Sequence, residues 1–283
     1  MRNLLSVIFI VSSGICFSQE QFDPVKSGYV LIWQDEFDQN GKVDSTKWSF
    51  EKGLVRNQEL QWYQEQNAIV RKGNLIITGK RETVPNPNFA SDNLDWRKSR
   101  KQADYTSSSI NTRGKFDFQY GIVEVRAKID TALGMWPAIW TLGIKNPWPA
   151  NGEIDIMEYY RVKDVPTILA NAAWADEGQY KAKWDEAKIP FENFLKKDPA
   201  WPSKFHLWRM EWSEKTIRLY LDNELLNEID LAETLNPDGI NPFRHPHYLL
   251  LNLAIGGNGG DPSGSFFPSE YLVDYVRVYQ RKN

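Results

Sequence analysis

The stretch Asn151-Gly152-Glu153-Ile154-Asp155-Ile156-Met157-Glu158-Tyr159-Tyr160 sets three carboxylates among residues that favour β-strands. Side chains alternate along a strand, so Glu153 and Asp155 share one face while the isoleucines enter the core behind them. Strict alternation would turn Glu158 away from that face. We therefore expect a β-bulge at Ile156-Met157, which inserts one residue and brings Glu158 back beside the other two carboxylates.

These three carboxylates place like charges close together. Repulsion raises the proton affinity of at least one of them and makes their titration a property of the group. Cleavage of a glycosidic bond needs one carboxyl that keeps a proton for the leaving oxygen and one ionised carboxylate at the sugar carbon. Glu153 and Glu158 are the candidates for these tasks. The alternative interpretation is an exposed acidic strand that is solvated or paired with Lys and Arg.

Tryptophans precede the acidic strand in the sequence. Trp136 and Trp140 lie in the stretch GMWPAIWTLG, and Trp148 follows it. Together with GEIDIMEYY, this stretch resembles glycoside hydrolase family 16, the clan of laminarinases, lichenases, agarases and carrageenases, in its bulged E-x-D-x-x-E form. The resemblance covers about residues 29–279, which is nearly the whole mature chain.

The resemblance implies a role for each carboxylate. Glu153 would be the nucleophile, Glu158 the general acid/base, and Asp155 the residue that tunes the nucleophile and the proton traffic. It also implies substrate contacts, which together with the tryptophans gives this set of candidates: Asn57, Glu59, Trp136, Trp140, Trp148, Asn171, Trp174, His206 and Asn252. We expect His206 on a strand next to the acidic one, with a buried core histidine as the alternative.

Many short β-rich runs separated by turn signals predict an all-β sandwich. The run from Ile122 to Ile129 alternates between apolar and charged residues, as a strand with one buried face does. The resemblance specifies a β-jelly roll of two curved antiparallel sheets with a concave substrate cleft. We expect one catalytic domain over residues 22–282. Residues 180–197 have a composition compatible with short helical pieces, and we expect an excursion beside the cleft.

The N-terminus predicts export. Residues 1–18 read as a signal peptide, because the apolar run from Leu4 to Cys16 is too short for a membrane span. Cys16 is the single cysteine, so the mature chain would have none; a lipoprotein anchor through Cys16 stays open. We expect a monomer that is secreted or held in the cell envelope, without a transmembrane segment. A net charge of -3 gives no basic footprint for nucleic acid.

A metal site is suggested at the far end of the chain. Asp274 falls, by alternation, on an apolar face with Val276 and Val278, where an unpaired carboxylate is costly. The resemblance implies one structural calcium ion held by Glu36, the carbonyl of Gly73 and Asp274. A salt bridge to Lys or Arg is the alternative. No organic cofactor is needed for the expected chemistry.

The sequence thus predicts a secreted, retaining endo-β-glycanase that hydrolyses β-1,3-glucan or mixed-linkage β-1,3-1,4-glucan. Ser109 stands where many laminarinases and lichenases carry an Arg, and residues 84–105 form a long loop with a basic run from Arg97 to Lys101. Both features leave open a red-algal galactan such as agar, porphyran or carrageenan as the substrate. A carbohydrate-binding jelly roll without catalysis is a further alternative.

Overall fold

The computed structural model describes residues 22–178 and 180–282, so the expected signal peptide, residues 1–18, lies outside the described part. The strands are β1 (Tyr29–Asp35), β2 (Ser49–Phe50), β3 (Gln61–Tyr63), β4 (Ala68–Val70), β5 (Leu75–Pro85), β6 (Gln102–Ser107), β7 (Ser109–Asn111), β8 (Gly121–Lys128), β9 (Met135–Gly143), β10 (Glu153–Val162), β11 (Val165–Ala175), β12 (Ala182–Pro190), β13 (His206–Trp212), β14 (Thr216–Leu221), β15 (Glu224–Asp230), β16 (His247–Ile255) and β17 (Ser269–Arg281). The helices are α1 (Trp96–Ser99), α2 (Glu192–Lys197) and 3-10 turns at Glu65–Asn67, Trp201–Ser203, Leu231–Glu233, Pro242–Arg244 and Gly257–Gly259.

Two sheets form the sandwich. The seven-stranded sheet has the order β12-β11-β10-β9-β16-β7-β2 and is antiparallel throughout. The ten-stranded sheet has the order β15-β14-β13-β8-β17-β5-β6-β3, with β1 added to β17 and β4 to β5. Its one parallel contact joins β3 to β6. The predicted all-β jelly roll is therefore confirmed.

The main core lies between the inner faces of the sheets, as alternation predicts. In β8, Val123, Val125 and Ala127 are buried in this core, and the charged residues between them lie on the opposite face of the strand, where Glu124 is also buried. In β9, Met135 and Ile139 enter the core, so the residues with even numbers face the other side of the seven-stranded sheet. This outer face carries the cleft.

For residues 180–197 the sequence predicts short helical pieces in an excursion beside the cleft, and this prediction is wrong for the first half of the segment. Residues 182–190 form β12, which pairs along its whole length with β11 at the edge of the seven-stranded sheet, and α2 follows. Lys, Asp, Glu and Ala are poor strand formers, but the free edge of β11 supplies a ladder of hydrogen bonds that outweighs this weak preference. The charges along β12 suit an edge strand, because they discourage pairing with another chain.

Candidate active site

A cleft of about 750 Å³ runs across the outer face of the seven-stranded sheet, above β9, β10 and β16. Acidic, aromatic and amide side chains dominate its lining. Those on which the site depends are Arg56, Asn57, Glu59, Arg97, Trp136, Trp140, Trp148, Glu153, Asp155, Glu158, Tyr160, Trp184, Glu186 and Asn252.

The register of β10 contains the expected bulge. Asp155 lies opposite Trp140 of β9, but Met157 lies opposite the next residue of that strand, so one residue is extra. Ile156 and Met157 are both buried in the main core. The face that began with Glu153 and Asp155 therefore continues with Glu158 and then Tyr160, and all three carboxylates border the same cleft.

Two tryptophans hold the outer carboxylates. Trp148 Nε1 donates a hydrogen bond to Glu153 Oε2 at 2.8 Å, and Trp136 Nε1 donates to Glu158 Oε1 at 2.9 Å. Asp155 lies between them and is only 1% exposed. Its Oδ2 has no hydrogen-bond partner among the described residues. Each glutamate thus has a fixed orientation, while Asp155 is shielded from water between two other acids.

Burial dominates the proton affinities of the three acids. It raises the pKa of Glu153 to about 7, although the bond from Trp148 and the charge of Arg56 oppose this rise. Burial, followed by repulsion from Glu153, raises the pKa of Glu158 to about 8. The pKa of Asp155 is well above its ordinary value because of burial and then repulsion from both glutamates. Near neutral pH the cluster therefore holds both protonated and ionised carboxyls, which are the two forms that glycosidic bond cleavage requires.

A second hydrogen-bonded group supports the floor of the cleft. Trp140 Nε1 donates to Asn252 Oδ1 at 2.7 Å, and Asn252 Nδ2 donates to the hydroxyl of Tyr63 at 3.2 Å. The Tyr63 hydroxyl in turn donates to Glu59 Oε2 at 3.3 Å. The chain of bonds connects β9, β16, β3 and the segment before β3, so these elements fix the shape of the cleft together.

Glu59 is itself buried and well satisfied. Gln61 Nε2 donates to its Oε2 at 2.5 Å, and Asn57 Nδ2 donates to its Oε1 at 3.3 Å. The pKa of Glu59 is raised by burial, which the charge of Arg56 and these hydrogen bonds oppose. Arg100, from the long loop after β5, donates to the backbone oxygen of Glu59. The loop therefore braces this wall of the cleft.

Three predicted substrate residues do not line the cleft. Asn171 is buried opposite Asp155 on β11, where its hydrogen bond to that acid partly opposes the rise in the pKa of Asp155. Trp174 packs in the main core against Phe243. Residues 171 and 174 differ by an odd number, so a regular strand cannot direct both to one face.

His206 is also misplaced in the sequence-based prediction. It lies on β13, in the ten-stranded sheet, between β8 and β14 rather than beside β10. Its ring stacks on Trp201 at 3.7 Å and contacts Asp222 Oδ2 at 2.5 Å and the Trp201 carbonyl at 2.9 Å. The alternative of a satisfied core histidine is thus the right one.

The two carboxylates of the proposed calcium site have cationic partners, and for Asp274 this is the predicted alternative of a salt bridge. Glu36 accepts two hydrogen bonds from Arg277, both at 2.8 Å, and Asp274 accepts one from Arg126 at 2.6 Å. A register shift between Val273 and Tyr275 also turns Asp274 off the apolar face. Gly73 lies in the turn before β5. These residues do not fit a calcium site, and no group of three or more His, Cys, Asp or Glu that would hold a metal occurs in the described ranges.

Several cleft residues were missed in the sequence. Tyr160 follows directly from the bulge, because it lies two residues after Glu158 on the same face. Trp184 and Glu186 face the cleft because residues 182–190 form strand β12, which was not predicted. Arg56 directly precedes the predicted substrate residue Asn57, and nothing in its immediate neighbours marks it as a cleft residue.

The chain is similar to known proteins over most of its length. The sequence profile described as "Glycosyl hydrolases family 16" matches residues 56–277. A glucan endo-1,3-beta-glucosidase A1 of Niallia circulans is 32% identical over 92% of this chain, which spans 39% of that relative's length. A beta-glucanase of Rhodothermus marinus is also 32% identical, over 88% of this chain and 85% of its own length. A keratan-sulfate endo-1,4-beta-galactosidase of Sphingobacterium multivorum is 31% identical over 89% of this chain and 55% of its own.

Solved structures share the fold. The laminarinase catalytic domain of Thermotoga maritima has a TM-score of 0.74 and 32% identity, covering 90% of this chain and 99% of its own. A structure from work on the endo-acting O-glycanases with which prominent members of the human gut microbiota initiate mucin breakdown has a TM-score of 0.80 and 36% identity, covering 90% and 92%. No helix in the described part of this chain is long and apolar enough to cross a membrane.

Proposed function

Because this chain belongs to family 16 of the glycosyl hydrolases and is a glycoside hydrolase domain, we propose that it hydrolyses β-1,3-glucan or mixed-linkage β-1,3-1,4-glucan at internal bonds, with retention of anomeric configuration. One observation carries the proposal. Glu153 and Glu158 lie on one face of β10 because of the bulge, and each is oriented by its own tryptophan.

Glu158 is the general acid. Its pKa of about 8 leaves the carboxyl protonated near neutral pH, so it can give its proton to the leaving glycosidic oxygen. Glu153 has the lower pKa, is the more readily ionised of the two, and attacks the anomeric carbon. The bond to the leaving sugar breaks as the ester bond to Glu153 forms.

The second half of the reaction reverses these roles. Glu158, now ionised, takes a proton from water, and the water oxygen attacks the anomeric carbon and releases Glu153. Two inversions give net retention. Retaining enzymes hold the two carboxyls about 5 to 5.5 Å apart, and neighbouring positions on one strand face suit such a separation. Burial and repulsion from both glutamates raise the pKa of Asp155, which favours its neutral form and so limits the negative charge of the cluster.

The lining of the cleft supports a neutral polysaccharide. Trp148 and Trp184 present partly exposed rings, at 37% and 41%, and such flat faces with a polar edge suit sugar rings. Asn57 and Asn252 offer amides for hydroxyl groups. A relative named a glucan endo-1,3-beta-glucosidase and another named a beta-glucanase agree with this class.

A sulfated galactan is the second candidate. Arg97 lines the cleft and begins the basic run to Lys101, and Ser109 replaces the expected arginine. The Sphingobacterium multivorum relative is named a keratan-sulfate endo-1,4-beta-galactosidase, and the structure with a TM-score of 0.80 comes from work on O-glycanases. A red-algal galactan falls in the same class.

Product analysis tests the proposal. The mature chain is incubated with laminarin, mixed-linkage glucan, agarose, porphyran, carrageenan and keratan sulfate, and products are sized while proton NMR follows the first anomer released. We expect β-anomeric oligosaccharides from the glucans, and Glu153→Gln should lose turnover by orders of magnitude. Glu36→Gln, whose carboxyl pairs with Arg277 on the other sheet, is the matched control. Initial release of the α-anomer, or full turnover by Glu158→Gln, would contradict the mechanism.

We also propose that the domain works outside the cytoplasm, because a polysaccharide cannot enter the cell intact. We propose separately that it is a monomer. Fractionation of cells that express the full chain, with N-terminal sequencing of the mature product, tests export. Cleavage after Ser18 would support the signal peptide, and a lipid-linked Cys16 would support the anchor. Light scattering of the purified chain tests the monomer.

A further inference from the structure

Arg56 is held in the cleft wall by contacts from several elements. It lies between β2 and β3, and its guanidinium carbon is 4.9 Å from the ring of Trp140 and 5.9 Å from that of Tyr63. Its Nη2 donates to Glu51 Oε2, which also accepts a hydrogen bond from Ser109 Oγ at 2.5 Å. The guanidinium therefore has one position, set by two aromatic rings and an anchored carboxylate.

This position is next to the acidic strand. Trp140, beneath the guanidinium, is the residue of β9 that lies directly opposite Asp155. Two residues further along β9, Leu142 lies opposite Glu153. Arg56 lines the same cleft as these acids, and only a fifth of its side chain is exposed.

The charges around the cleft explain why a cation matters here. Five acids line it: Glu59, Glu153, Asp155, Glu158 and Glu186. Two cations oppose them. Arg97 is about half exposed and engages Asp95 and the carbonyl of Val55, so water screens its charge. Arg56 is thus the more strongly buried of the two.

We propose that Arg56 is a positioning residue for the nucleophile: the Glu51–Arg56–Ser109 cluster fixes a positive charge beside Glu153 and keeps that carboxylate ionised while Glu158 stays protonated. The inference rests on the proposed function, since it assigns how the two glutamates divide their protons. The charge of Arg56 acts to lower the pKa of Glu153, whereas it is not among the main influences on Glu158.

No other group that faces Glu153 in the described part of the chain supplies a positive charge in place of Arg56. Asp155 and Glu158, on its own strand, are acids. Trp148 donates a hydrogen bond but carries no charge. Tyr248, on β16, responds to the charge of Glu153 and has a raised pKa because of burial, so it stays neutral. Glu51 is an acid bound to Arg56 itself.

The test compares charge removal with charge retention. Arg56→Gln removes the charge, Arg56→Lys keeps it, and Glu51→Gln/Arg56→Met removes both partners so that no buried charge is left unpaired. Arg277→Gln is the matched control, because Arg277 also stacks on a ring, Tyr275, and pairs with a glutamate, but on the other sheet. Melting curves establish that each variant is folded.

We expect a selective change in the pH dependence of kcat/KM. In both variants without the charge the acidic limb moves upward by about half a pH unit to one unit, and activity below that limb falls about three- to tenfold. The basic limb stays in place. Arg56→Lys keeps the wild-type acidic limb, and Arg277→Gln changes neither limb. An unmoved acidic limb in the charge-removed variants, or an equal displacement in Arg56→Lys, would overturn the proposal.

A second readout separates this inference from the proposed function. Carbon-13 NMR of labelled glutamate carboxyls, assigned with Glu153→Gln, follows Glu153 directly in wild type and Arg56→Gln. We expect its midpoint to rise in the variant. If the wild type hydrolyses none of the substrates, the proposed function fails, but the titration still decides whether Arg56 acts on Glu153; an unchanged midpoint rejects that action.

Discussion

Replacement of Glu158 by glutamine should stabilise the fold, and more so as the pH rises. The folded-state pKa of Glu158 is raised from 4.5 to about 8, so the folded protein binds an extra proton between these values and loses stability as the pH rises through this window. At about 1.36 kcal/mol per pKa unit the upper limit is ~4.8 kcal/mol above pH 8. Neighbouring acids share the repulsion and the carboxyl borders the open cleft, so we expect on the order of 1 to 2 kcal/mol.

Glutamine keeps the oxygen that accepts from Trp136 Nε1, so the substitution removes the charge without removing the hydrogen bond. In a domain of this size, the gain corresponds to a rise of about 2 to 8 °C in Tm above pH 8. Below about pH 4, where the wild-type carboxyl is protonated in both states, the two proteins should melt together. Scanning calorimetry from about pH 3 to about pH 9 measures the difference, with Glu192→Gln on the exposed face of α2 as the control for net charge. A difference that is independent of pH, or a less stable variant above pH 8, would refute the reasoning.

The pKa values of the two glutamates, the hydrogen bond from Trp148 and the ion pair of Asp274 can each be tested in solution. The kcat/KM of the wild type should be bell-shaped in pH, with an acidic limb near 7 for Glu153 and a basic limb near 8 for Glu158; a single limb across this range would contradict the assignment. Trp148→Phe removes the bond that lowers the pKa of Glu153, so the acidic limb should move upward by about half a unit or more in the same assay, and a downward movement would be inconsistent. Because Asp274 is paired with Arg126, Tm should be equal in excess EDTA and excess CaCl2; a rise of several degrees in calcium would restore the predicted metal site.

The sandwich and its acidic strand were predictable because their signals are local. Alternation in β8 identified the buried face from eight consecutive residues, and the spacing of Glu153, Asp155 and Glu158 required a bulge once all three were assigned to one face. The bulge could be inferred because, without it, the carboxylate of Glu158 would enter the core between Ile156 and Tyr159. Burial of an unpaired charge there would cost too much free energy.

Contacts between distant segments were not predictable in this way. The position of His206 depends on which sheet β13 joins, and nothing near it in sequence specifies that it pairs with β8. The position of β12 depends on the free edge of β11, which exists only after the sheet has formed. The position of the Arg56 guanidinium depends on contacts with Glu51, Ser109 and Trp140, which come from three separate parts of the chain.

The errors at Asp274 and Trp174 have a common physical origin in the two-residue period of a strand. A regular strand exposes residues of equal parity to one face, so Asn171 and Trp174 could never share the cleft unless a bulge lay between them, and β11 pairs with β12 without interruption. Strand β17 does contain such an interruption, because its register shifts beside Asp274. Val273 and Val276 therefore both enter the core, although their numbers differ by three. The carboxylate of Asp274 points away from the core and binds Arg126. A bulge can be inferred from sequence when a charge would otherwise face the core, as at Glu158. At Asp274 the same inference was not drawn; the carboxylate was assigned to a calcium ion, with a salt bridge to Lys or Arg as the alternative, and the contact with Arg126 is that salt bridge.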